Sequence, residues 1–347
     1  MKIVFLIADM QGGGTERVIA MLANEYARRD ISVVIMQIAG HKSVYHLDER
    51  VEVLIIAKSS PTLADKIIRL KRMRSYFRKN KDIIIFSPGT ITTIYAAAAT
   101  LAMKRFIFVS ERVDPECCPH PKWRDWAYKR VDRFAFQTEE LRNYYPPGIR
   151  AKGTIVMNPV AGDIPKRTGN SRAMTVVAVG RLHEQKNYPL LLAAFKIFVA
   201  EFPDYSLHIY GEGPKERELK ELTEEMGLTA VTTWHGFVPD VQMQIVDSGM
   251  FVLSSDYEGI ANSMLEALAM GIPTIATDSV GGGNRVHIED GINGLLVPMK
   301  DEKALAQAMK RIASDEVLAT RLSDEAIKIR ESNSVKEIAD QFLALME

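Results

Sequence analysis

Short apolar runs rich in β-branched residues alternate with amphipathic stretches of helical length along the chain, and this alternation limits the fold more than any other feature. Runs at 3–8, 32–38, 51–56, 83–86, 106–109, 134–137 and 154–157 read as strands, with helical patterns at 15–29, 63–79, 92–102 and 123–131 between them. A polar stretch, 162–172, carrying Pro165, Gly169 and Asn170, reads as a linker. The alternation then restarts with strands at 175–179, 206–210, 231–235, 250–253, 274–276 and 294–297, and three more helical patterns follow Asp301. Strand, crossover helix and strand in repetition is the signature of a parallel sheet covered on both faces. The expectation is two doubly wound α/β domains in tandem, which suits a length of 347 residues, beyond what one core usually holds. In such sheets ligands bind at the carboxyl ends of the strands, so two of them facing each other would hold a ligand in the cleft.

Composition narrows the function classes. No apolar stretch approaches the roughly 20 residues of a membrane span, and the run 3–8 stops at Asp9 before a glycine cluster, a strand rather than a signal peptide. The only cysteines are the neighbours Cys117 and Cys118, which cannot staple a fold, so a cytoplasmic location is expected. Adjacent cysteines also share a tetrahedral ion poorly, and Cys117-Cys118-Pro119-His120 is not read as a metal site. The charges balance at 44 basic and 44 acidic residues, which argues against a nucleic-acid binder. The halves differ, however. Residues 1–160 hold 26 basic and 16 acidic residues, a net of +10, and 161–347 hold 18 and 28, a net of −10. One half is therefore suited to an anionic surface.

Three segments carry chemistry. Gly12-Gly13-Gly14-Thr15-Glu16-Arg17 follows a strand and opens a helix, where bare amides and a helix terminus suit an anion. A dinucleotide fingerprint fits badly, because Arg17 stands where the third glycine belongs and strand two ends at Gln37 without an acidic ribose ligand. In Gly180-Arg181-Leu182-His183-Glu184-Gln185-Lys186-Asn187, two cations five apart at a strand end can converge on a diphosphate; as isolated surface charges they would simply be solvated. Glu258 and Glu266 flank Gly259-Ile260-Ala261-Asn262-Ser263-Met264-Leu265. Two carboxylates eight apart across a helix start can accept from separate hydroxyls of one ligand, although Ser263-x-x-Glu266 also reads as a capping box. His183 and His235 read as local hydrogen-bonding residues, and Trp123 and Trp126, three apart, as packing.

Together with Gly211-Glu212-Gly213-Pro214, His235-Gly236-Phe237-Val238 and Ala267-Leu268-Ala269-Met270-Gly271, these segments resemble family 4 glycosyltransferases. The resemblance spans nearly the whole chain and is most specific over 174–298. It implies the GT-B fold, two Rossmann-like domains facing across a cleft: an acceptor-binding domain at 1–160, a nucleotide-sugar domain at 161–330, and a helix at 331–347 returning to the first domain. It also implies roles. Arg181 and Lys186 hold the donor diphosphate, with the Gly13 and Gly14 amides facing it; Glu266 binds the ribose and Glu258 the transferred sugar. Gly236, Phe237 and Val238 line the base pocket, and the amides around Asn262 and Ser263 meet the distal phosphate. Glu111, in Ser110-Glu111-Arg112, stands where relatives often place a group near the reacting sugar. Ala261 replaces a proline frequent in the family, which bears on loop rigidity.

The implied activity is a retaining hexosyl- or N-acetylhexosaminyltransferase with a UDP-linked donor and a polyprenyl-diphosphate-linked or polysaccharide acceptor. No Asp-x-Asp motif occurs, so neither a metal nor another cofactor is expected. Side-chain cations and helix termini would neutralise the leaving group instead. The rivals are an epimerase or phosphorylase on the same fold and a non-catalytic sugar-binding partner. Finally, Lys66 to Lys81 holds eight cations and no acid (Lys66, Arg69, Lys71, Arg72, Arg74, Arg78, Lys79, Lys81), interleaved with apolar residues. It is expected to dock on an anionic membrane or to guide an acceptor diphosphate, keeping the protein peripheral on the inner face.

Overall fold

In the computed structural model, described for all residues except 12, 41–42, 58–61, 113–117, 119 and 168–171, the chain forms two compact units. Unit 1 comprises Met1–Pro159 and Asn333–Glu347, and unit 2 comprises Val160–Ser332. Cys117, Gly12 and part of the expected linker lie outside the described residues.

Unit 1 holds strands β1 (Lys2–Ile7), β2 (Ser32–Gln37), β3 (Glu52–Ile55), β4 (Ile83–Ser87), β5 (Phe106–Glu111), β6 (Arg133–Phe136) and β7 (Gly153–Ile155). They pair in parallel in the order β3-β2-β1-β4-β5-β6-β7. Unit 2 holds β8 (Ala173–Val179), β9 (Ser206–Tyr210), β10 (Thr232–Gly236), β11 (Ser248–Leu253), β12 (Thr274–Thr277) and β13 (Leu295–Val297), all parallel in the order β10-β9-β8-β11-β12-β13. Each sheet is the GT-B type of doubly wound sheet, and strand order reverses beside β1 in one and beside β8 in the other.

Strands buried on both faces feed two cores. In β1, Ile3, Phe5 and Ile7 join the layer holding the helix Gly14–Arg28, while Val4 and Leu6 face the layer with Met73, Phe77, Tyr128 and Phe134. The helix Val335–Met346 completes the first of these layers. Tyr26 Oη donates to Ala339 O (3.1 Å), Arg29 pairs with Asp340, and the fully buried Phe342 ring lies edge-on to Phe86 and Phe108 at 5.4 and 5.9 Å. Two short helices, Glu139–Tyr144 and Pro147–Arg150, escape the sequence pattern because neither is long enough to show a period.

The basic segment forms the helix Leu63–Lys79, but not all its cations face outward as expected. Arg69 is buried, Arg72 Nη1 donates to Ile56 O (2.6 Å), and Arg74 Nη1 donates to Ala99 O and Leu101 O (3.1 and 2.8 Å). These three serve carbonyls or the interior of the unit, since a long Arg stem packs well while its fork takes up orphan carbonyls. Lys66, Lys71, Arg78, Lys79 and Lys81 are exposed, as is Arg72 despite its bond to Ile56, beside the exposed Leu63, Ile67 and Ile68. Trp123 also departs from expectation: it is exposed, edge-on to Trp126 at 6.0 Å, rather than packed. Among the described residues no helix is long and apolar enough to cross a membrane.

Because Phe342 fills unit 1 from a distant part of the chain, Phe342→Ala should cost that unit about 3–5 kcal/mol. Urea unfolding should show a lowered midpoint for the unit 1 transition and an unchanged one for unit 2.

Candidate active site

Unit 2 gathers its candidate residues at the switch point between β8 and β11. After β8 the chain turns at Gly180, makes a short 3-10 turn at Glu184–Lys186, and enters the helix Tyr188–Val199 through Asn187, whose φ of 44° is left-handed. Asn187 suits this position because its side chain accepts from Leu190 N (3.3 Å) and donates to Asp256 Oδ1 (2.9 Å). The loop after β11 is stitched to the same turn. Asp256 N donates to Gln185 O (2.9 Å), Gln185 Nε2 to Tyr257 O (2.8 Å), and Ser254 Oγ to Lys186 O (2.8 Å). Neither loop can move alone.

This stitching brings Lys186 and Glu258 together. Lys186 Nζ donates to Glu258 Oε1 at 2.5 Å, and Ser255 Oγ donates to the same oxygen at 2.8 Å. Both side chains are mostly buried. Such a pair is held by geometry rather than by net Coulomb gain, and it presents a cation and a carboxylate at one point. Tyr188, whose hydroxyl donates to Gly180 O (3.0 Å), is pushed above the ordinary phenol range by burial and then by the Glu258 charge. Arg181 is exposed, with no side-chain partner among the described residues, which leaves its guanidinium fork available.

Glu266 is also buried, and Gln242 Nε2 donates to its Oε2 at 2.5 Å. The capping box is absent: the helix Asn262–Met270 starts after Ala261, shows no side-chain cap bond, and places Glu266 in its second turn. Asn262 and Ser263 occupy the first turn. At β10, His235 stacks on Tyr210 (4.2 Å, 4°) and its Nε2 lies 2.9 Å from His208 Nδ1. Burial holds both imidazoles below their ordinary range, so they are neutral hydrogen-bonding groups. Beyond them Gly236 has a φ of +68°, Phe237 is 66% exposed, and Val238 is part-buried.

In unit 1 two expectations are corrected. Gly13 and Gly14 do open the helix Gly14–Arg28, but Gly13 N donates to Tyr45 Oη (3.0 Å), which donates back to Gly13 O (2.9 Å), so the Gly13 amide is already occupied. Glu111 is 1% exposed, and both Tyr128 and Tyr145 donate to its Oε2, the latter at 3.0 Å. A ligand could touch that carboxylate only by displacing the tyrosines. The sequence offers a signal for Ser255, next to a strand end, but none for Gln242, which sits on a four-residue helix 24 positions before its partner.

Residues 163–329 match the family described as glycosyl transferases group 1. An uncharacterized glycosyltransferase of Haemophilus influenzae is 22% identical over 99% of both chains. A Campylobacter jejuni enzyme is 25% identical over 100% of this chain and 98% of its own; its name describes an α-1,4-N-acetyl-D-galactosaminyltransferase with a diNAcBac-PP-undecaprenol-linked saccharide. The Anabaena protein HepE in complex with UDP-glucose superposes with a TM-score of 0.85 at 17% identity, covering 100% of this chain and 99% of that one. The match to the group 1 glycosyltransferases covers the second unit, and the fold of the chain is GT-B.

The loops of this site approach more closely than side chains allow. A Cβ on Gly283 would lie 1.1 Å from Gly259 O, and one on Gly281, already at φ +94°, 2.3 Å from Glu258 O. Gly283→Ala should therefore push the 279–284 loop off the Gly259 backbone and weaken nucleotide binding at least tenfold. Gly162→Ala, where nothing lies within 4 Å, should leave calorimetric binding unchanged.

Proposed function

We propose that this glycosyltransferase moves a hexose or N-acetylhexosamine from a UDP-linked donor to a lipid-linked or polysaccharide acceptor, with retention at the anomeric carbon and with no metal or other cofactor. The observation that carries the reading is the Lys186–Glu258 pair at the switch point of the second sheet, with the exposed Arg181 in the loop that follows β8. The UDP-glucose complex of HepE and the undecaprenol-linked saccharide in the Campylobacter enzyme's name support the donor and acceptor classes.

In this reading the diphosphate is held by Arg181 as a fork and Lys186 as a point charge. Glu258 accepts from hydroxyls of the transferred sugar, and Glu266, steadied by Gln242, accepts from the ribose. Gly236, Phe237 and Val238 receive the base, and Asn262 and Ser263 offer first-turn amides to the distal phosphate. The bond from the anomeric carbon to the phosphate oxygen breaks as negative charge grows on the diphosphate, where Lys186 and Arg181 stabilise it. The acceptor oxygen bonds the same carbon on the same face, and its proton passes to the departing phosphate oxygen. No side-chain base is required, which agrees with the enclosure of Glu111 by two tyrosines.

Lys186→Ala should lower turnover at least tenfold, or about 1.4 kcal/mol of barrier, while circular dichroism reports an intact fold. Glu266→Gln should weaken UDP binding tenfold or more in calorimetry, the loss of a charged acceptor, whereas Glu258→Gln should reduce turnover more than UDP affinity. Equal losses of UDP affinity in both glutamate variants would contradict these roles.

The exposed Lys66, Lys71, Arg78 and Lys79 beside Leu63, Ile67 and Ile68 support peripheral attachment to an anionic inner leaflet. Each cation near such a surface adds about 1 kcal/mol. Reversing Lys66, Lys71 and Arg78 to Glu should abolish low-salt sedimentation with phosphatidylglycerol vesicles; unchanged sedimentation would remove this helix as the docking face.

A further inference from the structure

A buried cation in unit 1 has no counter-charge in contact among the described residues. Arg112 follows β5 at the carboxyl end of the sheet and retains 9% exposure. Its Nε donates to Ser110 Oγ (3.1 Å) and its Nη1 to Asn158 Oδ1 (2.6 Å), and Gln137 Nε2 donates to that same Asn158 oxygen (2.8 Å). Ser110, Asn158 and Gln137 are all buried and all neutral. Asn158 is fixed in turn, since its carbonyl accepts from Asn333 Nδ2 (3.0 Å) on the returning segment of the unit. Glu16, in the first turn of the helix Gly14–Arg28, is a carboxylate that acts on Arg112 through space. Burial depresses Arg112 to about 10, a direction opposite to that of a salt-bridged arginine such as Arg29. Arg112 remains charged at neutral pH all the same.

A guanidinium gripped at Nε and Nη1 by neutral oxygens is fixed in orientation, and Nη2 is left with no hydrogen bond among the described residues. A buried charge is stabilised far better by an opposite charge than by dipoles, and a planar fork matches the paired oxygens of a phosphate or carboxylate. The surrounding chemistry agrees. The first half of the chain is net basic by ten charges, and Arg112 stands at the edge of the sheet where doubly wound domains take ligands.

We propose that Arg112 is an oxyanion receptor in unit 1, which engages the phosphate or the sugar-acid carboxylate of the acceptor. Naming the acceptor as the carrier rests on the transferase reading above; the oxyanion site itself does not. Ser110 and Asn158 act as positioning residues, holding the fork so that Nη2 leads.

The test uses the full chain saturated with UDP, so that the donor site of unit 2 is filled before any second anion is added. Pyrophosphate and glucuronate are then titrated separately, with melting temperature and the Arg112 Nε–H resonance as readouts. At least one should raise the melting temperature by a few degrees at high excess and shift that resonance. A response to pyrophosphate assigns the carrier diphosphate, and a response to glucuronate assigns a sugar acid. Arg112→Gln keeps hydrogen bonds to Ser110 and Asn158 but loses the charge, so both responses should vanish while UDP binding reports folding. Should Arg112→Gln fail to fold, Arg112→Lys keeps the charge without the fork and should weaken the response at least tenfold. No response in the UDP-saturated wild type, or an undiminished one in the Arg112 variant, overturns the site. Failure of UDP to bind at all would instead count against the donor reading.

Discussion

Parallel strands in one sheet must be joined by crossovers that return to the same edge, and this connection rule governs where everything else in the molecule can lie. Because all thirteen described strands run parallel within their sheets, every strand-to-helix loop of a unit opens at one edge. In unit 2 the reversal of strand order between β8 and β11 parts the loops after these two strands, and their backbones are then tied by Asp256, Gln185 and Ser254. The Lys186–Glu258 pair, the near contact of Gly283 with Gly259 O, and the separate anchoring of Glu266 by Gln242 are consequences of crowding at that edge. Charge placement here follows from topology first and from side-chain preference second.

That dependence explains what could be read from sequence. Strands buried on both faces must be nearly continuous apolar runs, so β1, with Ile3 through Ile7 all buried, announces itself without any partner being known. Arg181, Lys186 and Glu258 were legible because each lies in the stretch that follows such a run, and Glu266 because it stands on the helix that comes next. Side-chain partners across long separations were not. Tyr45 covers the Gly13 amide from 32 positions away, Tyr128 and Tyr145 enclose Glu111 from 17 and 34, and Arg74 reaches carbonyls 25 and 27 residues on. The capping box failed for a local reason, since the helix begins one residue before Ser263 and needs no hydroxyl at its terminus.

Unit 1 also differs from unit 2 in how it spends buried polar groups. In unit 2 the buried carboxylates each meet a donor close to the proposed donor site. In unit 1 the buried carboxylate Glu111 is satisfied by phenols, and the buried cation Arg112 is satisfied by neutral amide and hydroxyl groups a residue away along the same strand end. Adjacent residues of opposite charge thus do not pair with each other, because successive side chains of a strand leave on opposite faces.

The return of Val335–Met346 to unit 1 gives the molecule a nested order in time. Synthesis runs from the N-terminal side, so at the ribosome Met1–Pro159 emerges with its Phe86 and Phe108 rings uncovered, and Val160–Ser332 must follow before Phe342 arrives. Unit 2, contiguous in sequence, can close its core while the earlier unit still waits with an open apolar face. The nascent chain is then exposed to association during translation of that whole insert, so chaperone demand should fall on unit 1, the portion made first and finished last.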